Sequence, residues 1–125
     1  MKILQKAYKL KRPKGSTHLA ILFKGSHILE HAWNDRSKTK GICARYGFWN
    51  ATPHAEVAVV LKYIKKHSKQ ELRKTKMLVL RYSLKEGELG ASKPCEMCFK
   101  FLKTFPVNDV LWLDSVSALR KASKE

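Results

Sequence analysis

Thr52-Pro53-His54-Ala55-Glu56 reads as a helix start, and what surrounds it sets the architecture. Behind the proline, Val57, Ala58, Val60, Leu61 and Ile64 recur at helical spacing, and the pattern fades near His67-Ser68. Further on, Pro94-Cys95-Glu96-Met97-Cys98 opens a second helix that repeats the spacing through Phe101, Leu102 and Phe105. Short apolar runs flank both helices. Leu19-Ala20-Ile21-Leu22-Phe23 reads as a buried strand, Lys24-Gly25-Ser26 as a tight turn, and residues 27–33 as a returning strand. Residues 77–84 and 107–114 supply a third and a fourth strand.

The remaining segments are less regular. Residues 2–12 place Ile3, Leu4, Ala7, Tyr8 and Leu10 among lysines, as a short amphipathic helix does, and Pro13-Lys14-Gly15-Ser16 ends it. Residues 34–53 mix polar, glycine and aromatic side chains without a period, a long loop that suits a pocket wall. Residues 86–92 form another loop, and residues 116–121 either return as an antiparallel edge strand, which is our expectation, or form a last helical turn. No internal repeat or linker divides the chain, so one domain over residues 1–125 is expected.

Two successive strand-helix-strand units make their three strands parallel, and each helix then begins beyond the carboxyl edge of the sheet. The helix starts at His54 and Cys95 should lie side by side in the crevice where such sheets bind ligands. Asn34, at the end of the second strand, falls on the same edge.

Composition narrows the function classes. The 125 residues are 44% hydrophobic, yet no apolar run approaches the roughly 20 residues that cross a bilayer. Met1-Lys2-Ile3-Leu4-Gln5-Lys6 lacks the apolar stretch of a signal peptide, and three cysteines do not make the even framework of a small secreted protein. A cytoplasmic chain with no membrane partner is expected. The net charge of +16 implies polyanions or phosphorylated small molecules as partners, or simply solvated helix faces.

His54, Cys95 and Cys98 offer one imidazole and two thiols with the spacing of a zinc site, and Glu56 adds a carboxylate two residues from the imidazole. Each has a plainer use. Glu56 suits the helix dipole, His54 suits a surface or capping role, and Cys95 with Cys98 suits a redox pair or a structural zinc. A closed structural site needs a fourth protein ligand. Cys43 is the one further thiol, with His18, His27, His31 and His67 as other donors, and an open position held by water is the better fit. Asn34 serves either a strand-end turn or a sugar hydroxyl. Phe48 and Trp49 either stack on a base or pack beneath the long loop, and Tyr46 is open to the same choice.

Taken together, His54-x-Glu56 with Pro94-Cys95-x-x-Cys98 resembles the zinc-dependent cytidine/deoxycytidylate deaminase superfamily. The order of elements extends the resemblance over nearly the whole chain, and Trp33-Asn34-Asp35 resembles that family's strand-end asparagine. The implied fold is an α/β, three-layer α/β/α cytidine deaminase-like sandwich on a mixed sheet of five, or four, strands, three of them parallel and the first antiparallel. The resemblance implies that His54, Cys95 and Cys98 hold Zn²⁺, that Glu56 shuttles protons to and from a zinc-bound water acting as nucleophile, that Asn34 touches the ribose, and that the backbone of Ala55 helps bind the base. The implied reaction is hydrolysis at C4 of cytosine, or C6 of adenine, with loss of ammonia.

On substrate, Met97-Cys98-Phe99 is closer to the nucleotide and tRNA branches than to the Cys-Arg ending of free-cytidine enzymes, while the short tail resembles the compact form that acts on nucleosides or nucleotides as dimers or tetramers. Three function classes follow. The first is a deaminase of a cytosine nucleoside or nucleotide, working as a homo-oligomer. The second is a base deaminase on RNA, tRNA or single-stranded DNA, and the third a non-enzymatic zinc-stabilised binding module.

Overall fold

A computed structural model describes residues 2–11, 17–34, 54–82, 89–90, 94, 96–115 and 118–123. The chain runs α1 (Lys2–Tyr8), β1 (His18–Lys24), β2 (His27–Trp33), α2 (Ala55–Ile64), a 3-10 helix (Lys69–Lys74), β3 (Lys76–Tyr82), β4 (Leu89–Gly90), α3 (Glu96–Thr104), β5 (Asp109–Ser115) and β6 (Ala118–Ser123).

Five strands line up as β2-β1-β3-β5-β6, and the two-residue β4 pairs with the end of β3. β1 runs antiparallel to both β2 and β3, β3 is parallel to β5, and β6 returns antiparallel along β5. β2, β3 and β5 therefore point the same way, with β1 reversed between the first two. That is the mixed sheet expected from the sequence, including the antiparallel tail strand.

Alternation along the strands divides the core between two faces. Leu19, Ile21 and Phe23 of β1 join Leu78 and Leu80 of β3 in packing against Ile3 and Ala7 of α1. The intervening Ala20, Leu22, Met77 and Val79, with Val110 and Trp112 of β5, pack against α2 and α3 on the other face. The result is three layers. Both crossovers, β2-α2-β3 and β3-α3-β5, step in one direction across the sheet, so the right-handed rule puts both helices on the same side.

Local chemistry explains the boundaries. Gly25 turns the β1–β2 hairpin with φ of 62°, a backbone region that side chains disfavour. Between Leu22 and Phe23 the β1–β2 register slips, leaving Leu29 as an extra residue in β2 and exposing it. In α3, Cys98, Phe101 and Leu102 are fully buried and Phe101 stacks on Phe105 at 4.6 Å, while Lys100, Lys103 and Thr104 face water.

Several details depart from the sequence reading, among them the two-residue β4 inside the loop expected over residues 86–92 and a tail strand at Ala118–Ser123 rather than over residues 116–121. The first helix is shorter than residues 2–12, ending at Tyr8. The buried stripe of α2 runs through Glu56, Val59, Val60 and Tyr63, with Leu61 and Ile64 at its margin. Residues 69–74 form a 3-10 helix pinned by the fully buried Leu72, whose carbonyl accepts the Thr75 hydroxyl at 2.7 Å.

Candidate metal and catalytic centre

Strand direction gathers the chemistry at one edge. β2 ends at Trp33 and β3 at Tyr82, and their rings lie 5.7 Å apart. β1 begins at that edge, where Tyr82 N–H donates to the Thr17 carbonyl at 2.7 Å and Asn34 N–H donates to the His18 carbonyl at 3.0 Å. α2 leaves from His54 and α3 from Glu96, packed against each other on one face of the sheet.

His54 occupies the N-cap of α2 in an extended conformation, and its carbonyl accepts the Ala58 N–H at 2.9 Å. Its side chain makes no capping hydrogen bond. The imidazole instead brings Nδ1 to 3.4 Å from the Cys98 sulfur, which is fully buried in α3 and not in a disulfide. This is a contact across two helices, 44 residues apart in sequence.

That separation fits a shared metal. With Zn–N near 2.1 Å and Zn–S near 2.3 Å, tetrahedral geometry sets neighbouring ligands about 3.6 Å apart. Without metal, the same distance is a thiol–imidazole hydrogen bond whose proton metal binding displaces. Among the described residues no three metal-binding side chains cluster. Cys95, the remaining expected ligand, lies outside the described residues, as do Cys43, Tyr46, Phe48 and Trp49.

Glu56 is 5% exposed. A carboxylate serving only the helix dipole belongs on the wet side of the first turn, yet this one lies on the core stripe with Val59, Val60 and Tyr63. Desolvating a carboxylate is costly unless it is partnered, and no buried side-chain oxygen or nitrogen among the described residues lacks a partner. The position asks for an acid where packing alone asks for an aliphatic residue. Ala55, between His54 and Glu56, is fully buried, and its N–H belongs to the helix turn whose amides have no intrahelical acceptor.

Asn34 is half-buried at the end of β2. Its side-chain oxygen accepts the backbone N–H groups of Thr17 at 3.2 Å and His18 at 3.0 Å. Those two bonds fix the amide orientation and leave Nδ2 as the donor it presents. The turn role and the presentation of a donor are thus served by opposite ends of one amide. The His18 ring joins this cluster through Nδ1, 2.8 Å from the Thr17 hydroxyl.

The other histidines lie elsewhere. His67 follows the far end of α2, with its ring stacked on Tyr63 at 4.3 Å and Nδ1 3.0 Å from Glu71. His27 starts β2 at the opposite sheet edge. His31 sits mid-strand, where burial lowers its pKa below 6.5, nearby Lys62 lowers it further and Glu30 opposes them. Lys62 is itself engaged, 3.2 Å from Glu30 and 3.1 Å from the His31 carbonyl.

The sequence reading missed the link from Asn34 to Thr17 and His18. Its one signal is that Thr17 immediately precedes the strand antiparallel to β2, so the start of one and the end of the other must abut.

Comparison with curated proteins finds no match. Residues 1–114 match the family described as the cytidine and deoxycytidylate deaminase zinc-binding region. That span takes in both helix starts, Asn34 and the sheet up to β5, leaving β6 outside it, and zinc is the metal of such a region. With an imidazole and a thiol already at ligand spacing and a buried carboxylate two residues along the chain from the imidazole, the chain belongs to the cytidine and deoxycytidylate deaminase zinc-binding family.

Proposed function

We propose that this protein hydrolyses the exocyclic amine of cytosine in a nucleoside or nucleotide, giving uracil and ammonia, at a zinc held by His54, Cys95 and Cys98. The observation that carries the reading is the His54–Cys98 contact of 3.4 Å, with Glu56 buried two residues beyond His54 in the same helix turn. When bound, zinc lowers the pKa of water and so supplies a nucleophile at neutral pH.

This chain's residues do the rest. Glu56 takes one proton from the attacking water and delivers it to the ring nitrogen, then takes the second from the hydroxyl added at C4 and delivers it to the amine, which leaves as ammonia as the C4 carbonyl forms. Its burial keeps that proton from exchanging with bulk water during the transfer. The Ala55 N–H donates to the base from the start of α2, and Nδ2 of Asn34 donates to a sugar hydroxyl. In this reading Phe48 and Trp49 are the residues that stack on the base. The protein works in the cytoplasm as a homo-oligomer, a dimer or a tetramer.

A second reading, base deamination in RNA, tRNA or single-stranded DNA, draws support from the net charge of +16. The two readings separate by salt. Turnover on an oligonucleotide falls steeply between low and physiological salt, whereas turnover on cytidine stays nearly constant.

The test is incubation of zinc-loaded protein with cytidine, deoxycytidine, their monophosphates, adenosine, a tRNA mixture and single-stranded DNA, followed by mass spectrometry for amine-to-carbonyl conversion. Conversion of a cytosine monomer by wild type but not by Glu56→Ala is expected. Silence of the zinc-loaded wild type on every substrate overturns the catalytic reading in favour of a zinc-stabilised binding module.

A further inference from the structure

The end of the sheet opposite the catalytic edge carries a concentration of charge that no feature of the proposed reaction uses. Between Lys65 and Lys76 the sequence holds six basic residues and one acid. Lys65, Lys66, Lys69, Arg73, Lys74 and Lys76 are all exposed. The acid, Glu71, faces His67 at 3.0 Å. Lys62, on the same helix, is drawn away to Glu30 and belongs to a different surface.

Packing holds these charges in one place. Leu72 anchors the 3-10 helix in the core, Lys69 Nζ lies over the Phe105 ring at 4.8 Å, and the Asn108 N–H donates to the Thr75 carbonyl at 2.7 Å. The end of α2, the 3-10 helix, the start of β3 and the end of α3 thereby form one surface.

Helix dipoles account for a cation or two at the end of α2, an effect that dies within the last turn. They do not account for Lys69, Arg73, Lys74 and Lys76 beyond it. Asp109 meets Lys76 only at 3.9 Å. Like charges held this close repel one another, and a polyanion relieves that repulsion while releasing its own counterions.

We propose that this surface binds the phosphodiester backbone of a nucleic acid, at the far end of the sheet from the catalytic edge. A bilayer is the poorer partner, because membrane-seated basic segments also present apolar side chains for insertion, and the 3-10 segment's one aliphatic residue, Leu72, is fully buried. A free nucleotide in the catalytic crevice does not reach it, since β3 alone separates the two ends by about 20 Å. The site therefore does not depend on the deaminase reading.

The test uses fluorescently labelled oligouridine and oligothymidine, which hold no deaminatable base, in anisotropy titrations from low to physiological salt. Arg73→Glu with Lys74→Glu is compared with Lys9→Glu with Lys11→Glu, exposed positions at the end of α1, so that both proteins lose the same net charge. The first pair should weaken binding roughly tenfold or more and lower the salt slope by about 1.4, the share of two phosphates on a single strand. The second should change affinity by less than about twofold. Arg73→Gln with Lys74→Gln guards against misfolding and should show a smaller loss of the same kind. RNA and DNA arms identify the backbone preferred. Equal loss in both charge-reversed proteins, no loss in either, or binding to phosphatidylserine vesicles without binding to oligonucleotides overturns the proposal.

Discussion

Glu56 and Asn34 carry the account at the scale of single residues. Glu56→Gln keeps the shape and hydrogen-bonding capacity of the side chain but removes its base, so deamination should fall by about 10²–10⁴ while zinc content is unchanged. Mass spectrometry of products alongside metal analysis separates these effects. Asn34 has two duties on opposite atoms. Asn34→Ala leaves the Thr17 and His18 N–H groups without their acceptor and should cost about 1–3 kcal/mol in urea unfolding. Asn34→Asp retains the acceptor and removes the donor, so it should unfold much nearer to wild type yet raise KM. His31 adds a pH signature. Its folded pKa lies below 6.5, so the unfolded chain binds more protons as pH falls. Its contribution is present in full above pH 6.5 and is lost as pH falls through the folded value; unfolding of His31→Gln measured over that range should show a flatter acid limb.

Elements succeed or fail in the sequence reading according to how many apolar positions they contain. α2, α3 and the four longest core strands have enough period to be legible, and the order of strands and helices alone puts both helix starts at one edge. The 3-10 helix has a single buried apolar residue, Leu72, and one residue defines no period. β4 is two residues long and owes its pairing to Arg81 and Tyr82 of β3. The bulge that exposes Leu29 is invisible for a similar reason, since alternation continues on either side of it. Within the site, the motif names His54 and Cys98, but only the packing of α2 on α3 brings nitrogen and sulfur to 3.4 Å. Glu56 is legible as an acid two residues from a candidate metal ligand; its place on the buried stripe is not, because the apolar residues around it support more than one helix phase. Leu72→Ala should cost about 2–5 kcal/mol, read by urea unfolding, and should loosen the basic surface that Leu72 anchors.

Across the whole molecule, the sheet separates two ends with different chemistry. At the carboxyl edge, the His54–Cys98 contact joins the starts of two helices, so zinc held there as proposed would stabilise the fold as well as serve the reaction. At a free concentration one hundredfold above its dissociation constant, zinc should add about 2.7 kcal/mol, which in a chain of this size raises Tm by roughly 10 °C. Calorimetry before and after chelation checks this, and an unchanged Tm would remove the metal from between the two helices. At the amino edge lies the exposed basic surface, set apart from the crevice. The central claim concerns the first of these ends, and one measurement reaches it directly: mass spectrometry of the base formed from cytidine or deoxycytidylate in water enriched in heavy oxygen. Zinc-loaded wild type should yield uracil with the heavy atom at C4, and zinc-loaded Glu56→Gln should yield almost none. Unlabelled uracil, equal conversion by both proteins, or no conversion by the zinc-loaded wild type would contradict it.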